Sequence, residues 1–157
     1  MDYYYFFGGY CSQWYDCEFT YNDIQYSSTE KWMMAMKALC MHDYDSYHSI
    51  LKSNDPKYIK QLGRRVKNYD DTKWSKERYE VVVLGNYLKF SQDRKLKKWL
   101  LSTRHIQLVE ASPTDTIWGI GLSVYDAERG LAWRGDNLLG KAIMEVREKL
   151  KNEANKY

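Results

Sequence analysis

Glu30 and Lys37 stand seven positions apart in the segment TEKWMMAMKA. That spacing is two turns of a helix, so both side chains project from nearly the same face. A carboxylate beside an amine can work on one ligand. The carboxylate serves as a base or stabilises developing positive charge, and the amine attacks a carbonyl carbon. Spacing alone also allows plainer roles, in which Glu30 closes a capping box with Ser27 and Lys37 is a solvated surface lysine. A second stretch, Leu108 to Leu150, contains LVEASPTDTIWGIGL and WRGDNLLGKAIMEVREKL. Its Glu110, Asp115, Trp118, Gly119, Gly121, Asn137 and Gly140 are types that contact polar, planar ligands, and the apolar runs on either side can hold them still.

Within WGIGL, glycines on both sides of Ile120 would let a ligand approach the backbone closely, and Trp118 offers a face to a planar ring. The same pattern suits a glycine-relieved strand with a core tryptophan. Asp115 follows Pro113-Thr114, so it either bonds its own backbone in a turn or orients a substrate hydroxyl. Asn137 precedes the last helix as its expected N-cap, and that helix N-terminus would suit an anion or a ribose hydroxyl. Gly140 removes a side chain where something packs closely. Arg64 and Arg65 after Gly63 could clamp a phosphate bidentately or remain solvated loop arginines.

The whole chain must position these groups. Its 157 residues with 44% hydrophobic content are enough for one domain with a buried core and too few for two comfortable ones. Net charge is only +3 with 29% of residues charged, so the charges are interspersed. The strongly basic stripe of a dedicated DNA binder is missing. Tyr 15 and Trp 6 favour a well-filled core or a site that stacks planar rings. Cys11, Cys17 and Cys40 are odd in number and lack paired zinc spacing, and the N-terminus has no basic segment followed by a long apolar one, which reads as a reduced, cytoplasmic protein. No apolar run approaches the ~20 residues that cross a bilayer. His42, His48 and His105 are scattered among polar neighbours, so no metal centre is expected.

Tyr3 to Phe7 suits a strand, and Glu18 to Tyr26 alternates around an Asn22-Asp23 turn, as a hairpin does. Ser27, with Glu30 at the third helical position, opens a predicted helix to about Met41, whose apolar stripe is Trp32, Ala35, Met36, Leu39 and Cys40. Asp55-Pro56 starts another, with Gly63 as its stop. A polar loop then leads to a helix from about Ser75 to Phe90 with Tyr79, Val82, Val83, Asn86, Tyr87 and Phe90 inward. Further helices are predicted over Arg94 to Leu101 and Leu138 to Leu150, strands over Ile106 to Val109 and Ile117 to Leu122, and a frayed tail from Lys151 to Tyr157. The expected class is α+β and predominantly helical: a single compact domain with a small antiparallel β part, the N-terminal hairpin plus short strands, packed on helices.

SQWY (Ser12 to Tyr15), TEKWMMAMKA, LGRRVK (Leu62 to Lys67), Trp74, GNYLKFSQ (Gly85 to Gln92) and the two stretches quoted first occur in an order that spans nearly the whole chain. In this the sequence resembles the YbiA-like, or NADAR, N-glycosidases. The resemblance implies cleavage of a C–N glycosidic bond without cofactor or metal. The substrate would be a phosphoribosylamino-pyrimidine of riboflavin biosynthesis, with release of ribose 5-phosphate. An ADP-ribosyl-guanine hydrolase, acting on nucleoside or on ADP-ribosylated DNA, is the alternative, and a non-catalytic ADP-ribose or nucleotide binder is a further one. The resemblance also implies that Glu30 and Lys37 are catalytic, with Lys37 able to form a Schiff base with an opened sugar. Trp118, Asp115 and Asn137 would surround ribose and base, Arg64 would meet the 5′-phosphate, and Gly119, Gly121, Trp74 and Trp14 would complete the substrate-binding set. One departure is Lys31, where the family usually has His or Gln. A cation there would strengthen phosphate binding or perturb Glu30. The segment from Leu122 to Ala132 is the kind of loop that varies between members and shapes substrate choice.

Overall fold

Asn22 and Asp23 both adopt left-handed backbone, with φ of 51° and 64°, the two-residue turn whose twist matches that of a hairpin. They join β2 (Phe19–Tyr21) to β3 (Ile24–Tyr26) in an antiparallel pair, Phe19 opposite Tyr26. The computed structural model describes residues 1–156 and divides into two compact units: a central one, Gln13–Asp93, and a terminal one, Met1–Ser12 with the chain from Arg94 on. The Lys151 to Tyr157 tail is helical as far as Ala154, and Tyr157 lies outside the described residues.

In the central unit, α1 (Thr29–Cys40) packs against α2 (Tyr44–Leu51), α3 (Pro56–Arg64) and α4 (Asp71–Gln92). With neighbours on several sides it buries more than one stripe. Trp32, Met33, Met34, Ala35 and Ala38 are buried, whereas the expected Met36, Leu39 and Cys40 are only half-buried. Trp32 sits at the centre, edge-on to Tyr21 and Tyr26 with ring centroids 5.1 Å away from each, and its indole N–H donates to Val81 O at 2.8 Å. Gly85 on α4 is where that indole lies, and a Cβ there would collide with Trp32 Cδ1. Gly63 is likewise not the stop of α3. It lies inside the helix, against the Met34 side chain, and the helix runs on to Arg64. Helix α2 was not expected, because its sequence YDSYHSIL buries only Ile50 and carries little helical periodicity. Its start is set by Asp43, whose carboxylate accepts from Ser46 N, Ser46 Oγ and Lys67 N. Helix α4 begins earlier than expected, at Asp71, because Asp70 caps it by accepting from Lys73 N.

In the terminal unit, β1 (Tyr3–Phe6) pairs with β4 (Gln107–Glu110) in parallel, Tyr3 opposite Gln107. The hairpin is thus the antiparallel part of the expected β structure, and the short strands outside it run parallel. Helix α5 (Arg94–Ser102) leads into β4, and α7 (Leu138–Ala154) packs on β4 through Leu139, Ala142, Ile143 and Val146. Gly140 allows that close approach: a Cβ on it would strike Leu108 O. Residues 117–122 are not a strand. They form a loop, and the stretch after it contains a short helix, α6 (Val124–Glu128), capped by Ser123. No described helix is long and apolar enough to cross a membrane.

Candidate active site

Helix α1 starts one residue later than its sequence pattern indicates. Ser28, not Ser27, is the N-cap, and its Oγ accepts from Lys31 N at 3.1 Å. Glu30 therefore stands at the second helical position, and Lys31 takes the place a capping-box carboxylate would need. The Ser27–Glu30 capping box is ruled out by this register. Glu30 is 5% exposed, and its backbone N–H donates to Gln13 O at 2.9 Å, so the loop before the hairpin fixes the start of the helix that carries it. Gln13 itself was not singled out from the sequence. It is buried, with Oε1 lacking a hydrogen-bond partner and Nε2 against Met33 Sδ, so it is a further candidate whose only signal was its place in SQWY.

Two turns on, Lys37 is half-buried. Its Nζ donates to Gly63 O at 2.8 Å and stands 4.7 Å from the Tyr69 ring centroid. Burial pushes the Lys37 amine below the usual lysine range, the Glu30 carboxylate opposes that fall, and the Arg64 guanidinium adds to it. Lys37 thus senses both Glu30, on its own helix, and Arg64, at the end of α3. Arg64 and Arg65 are exposed. Lys31 is buried, its ammonium bonded to Asn54 Oδ1 at 3.0 Å and its pKa lowered by desolvation. Trp74 is a core residue of α4, 5% exposed, whereas Trp14 is exposed with the Lys60 ammonium 5.9 Å from its ring.

In the terminal unit, the 111–122 loop uses its polar groups largely on itself. Asp115 Oδ1 accepts from Ile117 N at 3.0 Å and Trp118 N at 2.8 Å, which is the turn alternative for this residue. Gly119 does keep its backbone accessible to a close approach, but the approaching atoms are Glu110 O and Asp115 O, 2.9 and 3.0 Å from where a Cβ would stand. Gly121 has φ of 71°, a conformation that favours glycine. Trp118 is half-buried.

Asn137 precedes α7 as expected, yet it is no side-chain cap. Its φ is 53°, and its amide turns to β4, with Oδ1 accepting from Glu110 N and Nδ2 donating to Leu108 O, both at 3.0 Å. The first amides of α7 are also engaged: Asn137 N, Leu138 N and Leu139 N donate to the carbonyls of Gly119, Ile117 and Trp118. A helix start engaged in this way has few donors left for an anion. Among the described residues, no group of three His, Cys, Asp or Glu side chains is placed to hold a metal ion.

The NADAR domain description matches residues 5–151. The chain belongs to the NADAR family. An N-glycosidase of Acanthamoeba polyphaga mimivirus is 43% identical over 144 residues, 87% of this chain and 85% of that protein. A more distant relative, a riboflavin biosynthesis protein of Vibrio vulnificus, is 28% identical over 146 residues, and the match takes in 93% of this chain but 36% of that one. The NMR structure of the Escherichia coli protein YbiA superposes with a TM-score of 0.84 over 99% of this chain and 89% of that one, at 22% identity, a likeness of fold. The NADAR assignment and the mainly helical α+β class expected from the sequence agree with these matches. Several of the residues through which the NADAR resemblance was read, Trp32, Gly63, Gly85 and Gly140 among them, are here packing residues.

Proposed function

We propose that this NADAR N-glycosidase hydrolyses the C–N bond between ribose 5-phosphate and the exocyclic amine of a pyrimidine, the kind of intermediate handled in riboflavin biosynthesis. The observation that carries the reading is the grouping of a buried carboxylate, Glu30, a half-buried amine of lowered pKa, Lys37, and an exposed guanidinium, Arg64, on α1 and the end of α3. The kinship with proteins named as N-glycosidases and as a riboflavin biosynthesis protein supports it as well.

In the route we favour, the ribosylamine opens to an imine at C1′. Lys37 Nζ adds to C1′, the pyrimidine amine departs with the proton, and the sugar stays as an imine on Lys37. Water then adds to that imine, returning Lys37 and releasing the aldehyde form of ribose 5-phosphate. Glu30 accepts and returns the protons that these additions move and stabilises the positive charge at C1′. The lowered pKa of Lys37 serves the first addition, which needs the neutral amine. Arg64 is assigned to the 5′-phosphate, which a guanidinium fork fits bidentately.

The test is incubation of the purified protein with the phosphoribosylamino-pyrimidine and assay for ribose 5-phosphate, together with borohydride reduction and peptide mass analysis. A sugar adduct on Lys37 and loss of turnover in Lys37→Ala and Glu30→Gln are expected. No release by folded protein overturns the substrate, and faster turnover of ADP-ribosylated guanosine redirects it to the alternative. Turnover without any adduct leaves Glu30-activated water as the route.

A further inference from the structure

A cavity of about 550 Å³ opens in the terminal unit between the turn after α5 and the C-terminal half of α7, lined by Leu101, Arg104, His105, Met144, Arg147 and Lys151 among others. Met144, Arg147, Glu148 and Lys151 share one face of α7, being three, four and seven positions apart. Its volume is that of a small-ligand pocket. Its charge is one-sided: Arg104, Arg147 and Lys151 face it against a single lining carboxylate, Glu148.

Arg147 is the informative member. It is 9% exposed, and one Nη donates to Thr103 Oγ1 at 2.9 Å and Ile106 O at 2.8 Å. Both partners are neutral. The hydrogen bonds of the guanidinium thus go to neutral oxygens, and the carboxylate that acts on it is Glu148, its neighbour along α7. An uncompensated buried cation is costly, and a guanidinium does not escape the cost by deprotonating. Two neutral bonds account for its clamp on the α5–β4 turn, and Glu148 offsets only part of the cost of burying its charge, since desolvation is the larger effect. The negative end of the α7 dipole lies at the Ala154–Asn155 end of the cavity, which directs an anion toward Arg104 and Arg147. Leu101 and Met144 provide an apolar wall for whatever the anion is attached to.

We infer that this cavity is a binding site for a small phosphate monoester bearing an apolar or planar group, of mononucleotide size, with the phosphate on Arg147 and Arg104. The inference is independent of the hydrolytic reading, since none of its residues is assigned to that chemistry. Adenosine monophosphate, adenosine and a short single-stranded oligonucleotide should be titrated into the isotope-labelled full chain and followed by NMR. Saturable shifts of Arg104, His105 and Arg147 signals with the monophosphate, absent with adenosine, are expected. Arg104→Gln and Lys151→Gln, rim changes that should not disturb folding, should each weaken binding by about ten-fold, equivalent to about 1.4 kcal/mol, without altering melting temperature or N-glycosidase turnover. Arg147→Lys, which keeps the charge but loses the fork, should weaken it too. The inference is overturned by the absence of saturable shifts at low millimolar ligand, by equal binding of adenosine, by binding insensitive to the rim changes, or by tighter binding of the oligonucleotide at this cavity.

Discussion

The ammonium of Lys37 donates to the carbonyl oxygen of Gly63 at 2.8 Å, so the last turn of α3 holds the amine of α1. Carbonyls in the last turn of a helix have no partner within it, and Lys37 satisfies one of them. The contact depends on Gly63 lacking a side chain, because the space a Cβ would take is filled by Met34. One glycine thus sets both the packing of α3 on α1 and the position of the amine.

Gly63→Ala should therefore lower stability and turnover together. Overpacking of this kind costs about 1–3 kcal/mol, and displacing α3 moves the acceptor away from Lys37. Thermal melts and steady-state kinetics check this. An alanine variant that melts and turns over like the parent would show that Met34 yields without moving the helix.

Lys37 also makes a signed prediction for pH. Burial lowers its pKa, Glu30 works against that and Arg64 with it. Folded protein therefore releases this proton at lower pH than the unfolded chain. The penalty for holding the charged amine is present at neutral pH and is relieved as pH rises from the folded value toward that of a free lysine. Titration of reductively ¹³C-methylated protein should show one lysine midpoint below the rest. Glu30→Gln should move it further down and Arg64→Gln should move it up. Shifts in the opposite sense would remove the electrostatic link of Lys37 to Glu30 and to Arg64.

Much of this was legible in the sequence where a short-range rule governs. The Asn22-Asp23 hairpin, the Asp55-Pro56 helix start and the periodic helices α5 and α7 follow local turn, cap and packing rules. Residues whose partners are distant in sequence were misread. Gly63 looks like a helix stop and is a notch for Met34, and Trp74, quoted for its place in the family pattern, is buried in the core of α4. Asn137 looks like a cap and instead serves β4, and Ile117 to Leu122 alternates like a strand while its carbonyls are taken by the start of α7. The Glu30–Lys37 spacing was readable. The Gly63 carbonyl and Tyr69 ring around Lys37 were not, since both come from outside α1.

The start of α1 can be tested by two adjacent substitutions. Ser28 Oγ accepts from Lys31 N, so Ser28→Ala should cost about 1 kcal/mol. Ser27 Oγ is buried without a partner, and its removal should be neutral or slightly stabilising. Urea denaturation of both variants distinguishes them. A larger loss at Ser27 would restore the earlier cap and with it a capping role for Glu30.

Asn137 makes the strongest structural prediction in the terminal unit. Along β4, the N–H groups of Gln107 and Ala111 point to the β1 side, bonding Asp2 O and Phe6 O. Leu108 C=O and Glu110 N–H point the other way, toward an edge that no strand covers. The Asn137 amide accepts from one and donates to the other, doing there what a peptide unit of a third strand would do. Asn137→Ala leaves two buried or part-buried backbone groups unpaired at about 1–3 kcal/mol each, so a loss of about 2–6 kcal/mol is expected. Asn137→Asp keeps the acceptor for Glu110 N but sets oxygen against Leu108 O, and should be nearly as damaging. Asn137→Gly relieves the left-handed backbone and still loses both bonds, so it should fall between the alanine variant and the parent. Hydrogen exchange at Glu110 N gives a local readout. Protection there that survives Asn137→Ala would mean that the β4 edge is covered by something other than this side chain.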